Sequence, residues 1–220
     1  MKVIVTGSTG YIGREILLQC LSCSLITSVV AISRRNPGIV HAKLSIVLHD
    51  NFSCYPSTIL SQIQDAQACI YCLGTNIPVK PPELNRKINF EYAMSTATIF
   101  ASFNHTQPFH FVYLSGALPE RDPEKRIWFL AENRKMRGEL ENALLGLNLE
   151  KRDSGFKILI ARPGFVQPQG AILRTWVVGS IASAIMLPDL AAAMVHLALK
   201  GNKDPLVENK ELKLVAKQDR

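Results

Sequence analysis

The chain has 220 residues, 47% of them hydrophobic, and a formal net charge of +7. That is enough apolar chain for one α/β domain with a full core, and it excludes a disordered polypeptide. The excess positive charge gathers in residues 121–137 and in the tail rather than in one stripe, which predicts a basic surface with a site for an anionic cofactor and no nucleic-acid partner.

The first predicted strand, 2–6, runs straight into Thr6-Gly7-Ser8-Thr9-Gly10-Tyr11-Ile12-Gly13, and a helix over 11–22 follows. Glycines at this spacing between a strand and a helix suit a dinucleotide. Gly7 permits the tight turn, Gly10 lets a pyrophosphate approach the backbone, and Gly13 lets the helix pack closely on the strand. The helix N-terminus adds free N–H groups and the positive end of its dipole. Thr9, Tyr11 and Ile12 complete this part of the candidate cofactor site.

Further strands are predicted at 28–33, 44–48, 69–73, 109–115 and 157–161, with a last one at 212–216. They alternate with helices at 57–65, 84–104, 125–148 and 189–199. Continuous apolar strands separated by helices imply a parallel sheet covered on both faces. With right-handed crossovers this becomes a doubly wound, Rossmann-type sheet occupying 1–220 as a single domain.

Ligands in such sheets bind beyond the carboxyl ends of the strands, so the residues there are the ones to inspect. The second strand ends in Ser33-Arg34-Arg35, with no carboxylate for a ribose 2′-hydroxyl. A guanidinium can grip the 2′-phosphate of NADP bidentately and another can stack on adenine, so Arg34 and Arg35 favour NADP(H) over NAD(H). Asp50, after the third strand, can accept from the adenine amino group or cap the next helix. Leu73, Gly74 and Thr75 follow the fourth strand, where the glycine lets the backbone run beneath the ribose. Ser115 ends the fifth strand near the expected nicotinamide position, and Pro163-Gly164 force a sharp exit after the sixth.

Cys20, Cys23, Cys54, Cys69 and Cys72 are odd in number and follow no secretory leader, which predicts a reducing, cytoplasmic setting. Two pairs have C-x-x-C spacing but neither lies on a loop with a histidine cluster, so they read as buried thiols and no metal site is expected. The apolar stretch 176–199 is broken by Pro188-Asp189, and neither half reaches spanning length. Residues 165–190 read as a small substrate-side insert carrying Ile172, Leu173, Trp176, Val177, Val178, Ile181 and Ile185.

The segments TGSTGYIG, SRR, CLGT, YLSGA and ARPGFV, in this order over nearly the whole chain, resemble the short-chain dehydrogenase/reductase superfamily. Gly138-Glu139-Leu140-Glu141 and VENKEL at 207–212 are similar to its atypical branch, the NmrA-like and Tat-interacting-protein-like oxidoreductases. The resemblance implies a Rossmann core, NADP(H) and an insert that builds the substrate pocket; the apolar content of that insert here predicts a small hydrophobic, ring-containing substrate of the specialised-metabolite kind, and a monomer or homodimer is expected. It also implies a Tyr-x-x-x-Lys pair on the helix after the fifth strand. Here the matching positions hold Asn133 and Arg137, and no tyrosine occurs in 114–220. An amide can orient an oxygen but cannot act as a general acid at neutral pH, and a guanidinium keeps its charge. Ser115, Asn133 and Arg137 are therefore the candidate catalytic residues, with Tyr92, Tyr113 and Glu132 as further groups to weigh. Three functions remain open: an NADP(H)-dependent reductase with an unusual proton donor; a non-redox isomerase, cyclase or epoxide-opening enzyme; and a dinucleotide-sensing regulator.

Overall fold

A computed structural model describes residues 1–103, 107–168 and 184–218. The strands, in chain order, are β1 (Lys2–Thr6), β2 (Ser28–Ser33), β3 (Leu44–Leu48), β4 (Ala68–Tyr71), β5 (Phe109–Leu114), β6 (Phe156–Arg162), β7 (Val166–Gln167), β8 (Ile185–Met186) and β9 (Leu206–Glu208). The helices are α1 (Tyr11–Ser22), α2 (Ser57–Ile63), α3 (Pro82–Arg86), α4 (Tyr92–Ala101), α5 (Ala131–Glu150), α6 (Leu187–Lys200) and α7 (Asn209–Val215). A π-helical turn, Lys87–Glu91, joins α3 to α4.

Seven strands form one parallel sheet in the order β3-β2-β1-β4-β5-β6-β9, while β7 and β8 pair separately. Successive strand residues point to opposite faces, and both faces are covered, which is why the strands read as unbroken apolar runs. Val3 and Val5 pack with Ile16, Leu17, Leu190 and Met194 on one side. Ile4 packs on the other side, with Phe52, Phe100, Phe111, Phe156, Leu140 and Leu144. Each such fully buried side chain contributes ~1.5–3 kcal/mol relative to exposure. The strand order reverses between β1 and β4, which opens a crevice at their carboxyl ends. This is the doubly wound Rossmann arrangement that the alternation of elements predicts.

Three expectations need correction. Residues 212–216 form no strand: Leu212, Val215 and Ala216 are buried while Leu214 is 57% exposed. That is helical spacing: residues 212–215 belong to α7 and Ala216 is its C-cap; the last strand is instead β9, paired to Arg162 and its neighbours. The helix expected at 125–148 starts only at Ala131, because Leu130 sits in the left-handed region with φ 50° and cannot continue a right-handed helix. The fourth strand covers Ala68–Tyr71, which leaves Cys72 beyond its end.

Candidate functional site

The glycine turn lies at the crevice, between β1 and α1. Gly7 has φ +69°, and a Cβ there would stand 2.6 Å from the Cys72 carbonyl carbon and oxygen. A Cβ at Gly13 would stand 2.2 Å from the Gly7 carbonyl oxygen. Both glycines are therefore demanded by the chain's own packing. Gly10 differs: its Cβ would meet only the Gly7 carbonyl oxygen, at 3.2 Å. Gly10 N–H closes the turn by donating to that same oxygen at 2.9 Å. The first turn of α1 carries no acidic residue and its N-cap makes no side-chain hydrogen bond, so its N–H groups are suited to an anion.

Two cavities, of about 170 and 160 Å³, share Gly10, Cys72, Leu73, Gly74 and Thr75 and form one groove. One end is lined by Gly7, Thr9, Ser33, Arg34 and Arg35, with both arginine side chains exposed. The other is lined by Tyr11, Ile12, Asn76, Asn89, Tyr113, Leu114, Ser115 and Arg137. A Cβ at Gly74 would meet only Asn89 Oδ1, at 3.2 Å, so the floor of the groove is open there too. The fit to a dinucleotide phosphate is good: a glycine floor, helix N–H groups and an arginine pair lie along one crevice. Asp50 is exposed and lines neither cavity, and nor do Pro163 and Gly164. The Gly164 N–H instead donates to Asn209 Oδ1 at 2.8 Å.

At the far end, α5 supplies a stripe of polar residues four apart: Asn133, Arg137 and Glu141. Arg137 reaches across to the loop after β4, donating to the Thr75 carbonyl at 3.2 Å and to Asn76 Oδ1 at 3.1 Å. Ser115 Oγ donates to Glu141 Oε1 at 2.6 Å. Glu141 is fully buried, and its carboxylate also accepts from Arg162 Nε and Nη2. Arg162 in turn donates to Glu208 at 2.8 Å. The Ser115 proton is thus committed to a carboxylate, and what its hydroxyl offers the groove is an acceptor. Tyr113, in β5, stands two residues before Ser115 and lines the same cavity. Burial pushes its ionisation upward against the opposing pull of Arg137, so the phenol keeps its proton at neutral pH.

Asn133 is one turn away from Arg137 but does not line the groove. It is 5% exposed and accepts from Asn85 Nδ2 at 3.0 Å. Asn85 Oδ1 accepts from Asn89 Nδ2 at 2.9 Å, and Asn89 Oδ1 accepts from the Thr75 N–H at 2.7 Å. Asn133 and Asn85 line a different cavity, of about 790 Å³, bounded by the Pro78–Pro82 loop, α3 and the start of α5. The structure brings Ser115 and Arg137 together and sets Asn133 apart. It adds Tyr113, Asn76, Asn89, Glu141 and Arg162, of which only Tyr113 was weighed from the sequence as a catalytic group. The four-residue spacing of Asn133, Arg137 and Glu141 was the signal for Glu141.

Of the segment 165–190 expected to form a substrate-side insert, residues 169–183 lie outside the described residues, including Ile172, Leu173, Trp176, Val177, Val178 and Ile181. Its flanks, β7 and β8, pair in parallel. Among the described residues no group of histidine, cysteine and carboxylate side chains could hold a metal, and no helix is long and apolar enough to cross a membrane. The cysteines are free thiols, and Cys20 and Cys69 are buried.

The sequence matches no protein-family model and no curated protein sequence. Solved structures do match the fold. A short-chain dehydrogenase from Burkholderia cenocepacia J2315, in complex with NADP, superposes with a TM-score of 0.73 at 16% identity, covering 100% of this chain and 93% of that one. The PbgP3 protein from Burkholderia pseudomallei gives 0.71 at 14% identity, over 97% of this chain and 82% of that one. MoeE5, in complex with UDP-glucose and NAD, gives 0.68 at 13% identity, over 94% and 75%.

Proposed function

We propose that this chain is an atypical member of the short-chain dehydrogenase/reductase superfamily. It binds NADP(H) in the groove and reduces a conjugated double bond or carbonyl of a small hydrophobic substrate. The observation that carries this reading is the continuous groove from Arg34 and Arg35, past the glycine turn, to Tyr113, Ser115 and Arg137. The likeness to an NADP complex that covers the whole chain supports it.

NADPH, when bound, supplies a hydride. The chain's own groups do the rest. Arg34 and Arg35 hold the 2′-phosphate, and the N–H groups opening α1 hold the pyrophosphate. Arg137 places a fixed positive charge beside the reactive end, where it stabilises negative charge developing on a substrate oxygen. Tyr113 Oη holds a proton there in place of the tyrosine missing from α5. Ser115 accepts from a substrate hydroxyl or amide. Hydride delivery to a conjugated double bond asks less of a proton donor at oxygen than carbonyl reduction does, which suits a site without the Tyr-x-x-x-Lys pair. Residues 165–190 form the substrate-side insert of a single domain spanning 1–220.

Titrating NADPH by its fluorescence tests the groove, and saturable binding is expected. Incubation with cyclic enones and ketones, followed by absorbance, tests the reaction. Consumption faster with enones than with ketones is expected. Product without NADPH loss would move the assignment to an isomerase or cyclase, and absence of NADPH binding would remove the reductase.

A further inference from the structure

The 790 Å³ cavity beside Asn133 has no part in the reductase reading. It lies within the range of small-molecule sites, roughly 300–1,000 Å³, and its inner surface is mostly apolar although polar and charged residues share the lining. Pro78, Val79, Pro82, Leu130 and Met136 supply apolar wall, while Lys80, Arg86, Lys135, Glu132 and Glu139 bring three cations and two carboxylates to the lining, Arg86 being paired to Glu139. Asn85 and Asn133 are both more than nine-tenths buried. Among the described residues the hydrogen bond of Asn133 runs through Oδ1, so its amide NH2 is the polar group it offers the cavity. The complement of that NH2, in a lining where cations outnumber carboxylates by one, is an oxygen that accepts, carried on an apolar body.

We propose that this cavity binds a ring-containing apolar molecule bearing a carboxylate or carbonyl oxygen, which Asn133 Nδ2 recognises, and that its occupancy is transmitted to the cofactor groove. The path is the row of amides from Asn133 through Asn85 and Asn89 to Thr75, with contacts of 3.0, 2.9 and 2.7 Å. Each amide has one accepting and one donating end, so turning one changes what the next must offer. Thr75 and Asn89 both line the groove, and Asn89 stands in the π-helical turn. Such turns are frequent at functional positions. The transmission rests on the proposed cofactor groove; the cavity site does not.

The test uses 1-naphthoate as the probe, measured by equilibrium dialysis against the full chain. Asn133→Asp keeps an acceptor for Asn85 but removes the donor and adds a negative charge, so affinity should fall at least ~10-fold. Val79→Trp, on the half-exposed loop, fills the cavity while keeping the backbone N–H that donates to Asn85 Oδ1 at 3.0 Å, and should cause a similar loss. NADPH affinity measured with and without naphthoate should differ at least ~5-fold, and Asn85→Leu should erase that difference. Failure of naphthoate to bind at about 1 mM, or binding indifferent to both variants, overturns the site. An NADPH affinity unmoved by naphthoate overturns the transmission. Failure of NADPH to bind at all overturns the proposed function and the transmission together, while the naphthoate measurements still decide the cavity.

Discussion

Ser115 Oγ lies 2.6 Å from Oε1 of Glu141, a carboxylate with no exposure to solvent that is itself paired to Arg162. The pair joins the end of β5 to the middle of α5 and fixes which way the serine hydroxyl points. Removing one partner of a buried ion pair strands the other. Glu141→Ala is expected to cost ~3–5 kcal/mol, because the Arg162 charge loses its main partner in a dry setting. Glu208 also bonds Arg162, but its side chain is 62% exposed. Glu208→Ala should cost less than ~1 kcal/mol. Urea unfolding of the two variants checks the contrast, and equal losses would contradict the assigned hierarchy.

The glycines of the turn should separate into structural and ligand-facing positions. Gly13→Ala drives a methyl to 2.2 Å from the Gly7 carbonyl oxygen. It should destabilise by at least ~1–3 kcal/mol, as overpacking does. Gly10→Ala meets one atom at 3.2 Å. It should fold with little change in stability and yet bind NADPH at least ~10-fold more weakly, since the methyl occupies the approach to the pyrophosphate. Thermal unfolding beside fluorescence titration distinguishes them.

Arg34 and Arg35 are exposed and line the end of the groove away from Ser115. Replacing both with alanine should weaken NADPH by ~100-fold, the scale of two charge-assisted contacts, and NADH by only a few-fold. Equal losses for the two cofactors would show that neither arginine reads the 2′-phosphate.

His110 gives stability a dependence on pH. Its Nδ1 donates to the Ala198 carbonyl at 3.0 Å, and burial holds its basicity below the ordinary histidine value of 6.5. The unfolded chain then takes up a proton more readily than the folded one. Stability is full above about pH 6.5 and declines as pH falls from there toward the lowered folded value. His110→Gln keeps a donor for Ala198 and should flatten that decline, as read by denaturation midpoints between about pH 7.5 and 5.

The turn, the groove floor and the arginine pair were legible because each is local. A strand, three glycines and a helix stand within a few residues, and Ser33-Arg34-Arg35 sits where a strand ends. The α7 segment misled for a related reason. Leu212, Leu214 and Ala216 alternate like a strand, and only the exposure of Leu214 shows that the buried set is Leu212, Val215 and Ala216. The reactive end was half legible. Arg137 falls where the resemblance put it, but Asn133 turns away to a partner 48 residues distant, a contact that no local pattern announces. Tyr113 lies within an apolar strand and reads as core, which it also is. Its place in the groove wall follows from the loop after β4 and from α5, whose Arg137 lines the same cavity.

The approach of the loop after β5 to α5 has a cause of its own. A Cβ at Gly138 would stand 1.8 Å from the Glu120 carbonyl oxygen, so the backbone leaving β5 lies directly on the helix at that point. The Glu120 N–H bonds the Arg134 carbonyl beside it at 2.9 Å. A single missing methyl thus sets the separation between the loop and the helix that carries Arg137 and Glu141. The loop is thereby divided into a part that is pinned and a part that is free to be rewritten. Residues 122–125 are still tied down, Pro123 by Lys135 and Lys125 by Glu120, and the exchangeable part is the run from Arg126 to Phe129, which includes the fully exposed Trp128. A new surface can be grafted there while the groove keeps its frame, and the position that cannot be exchanged for this purpose is Gly138.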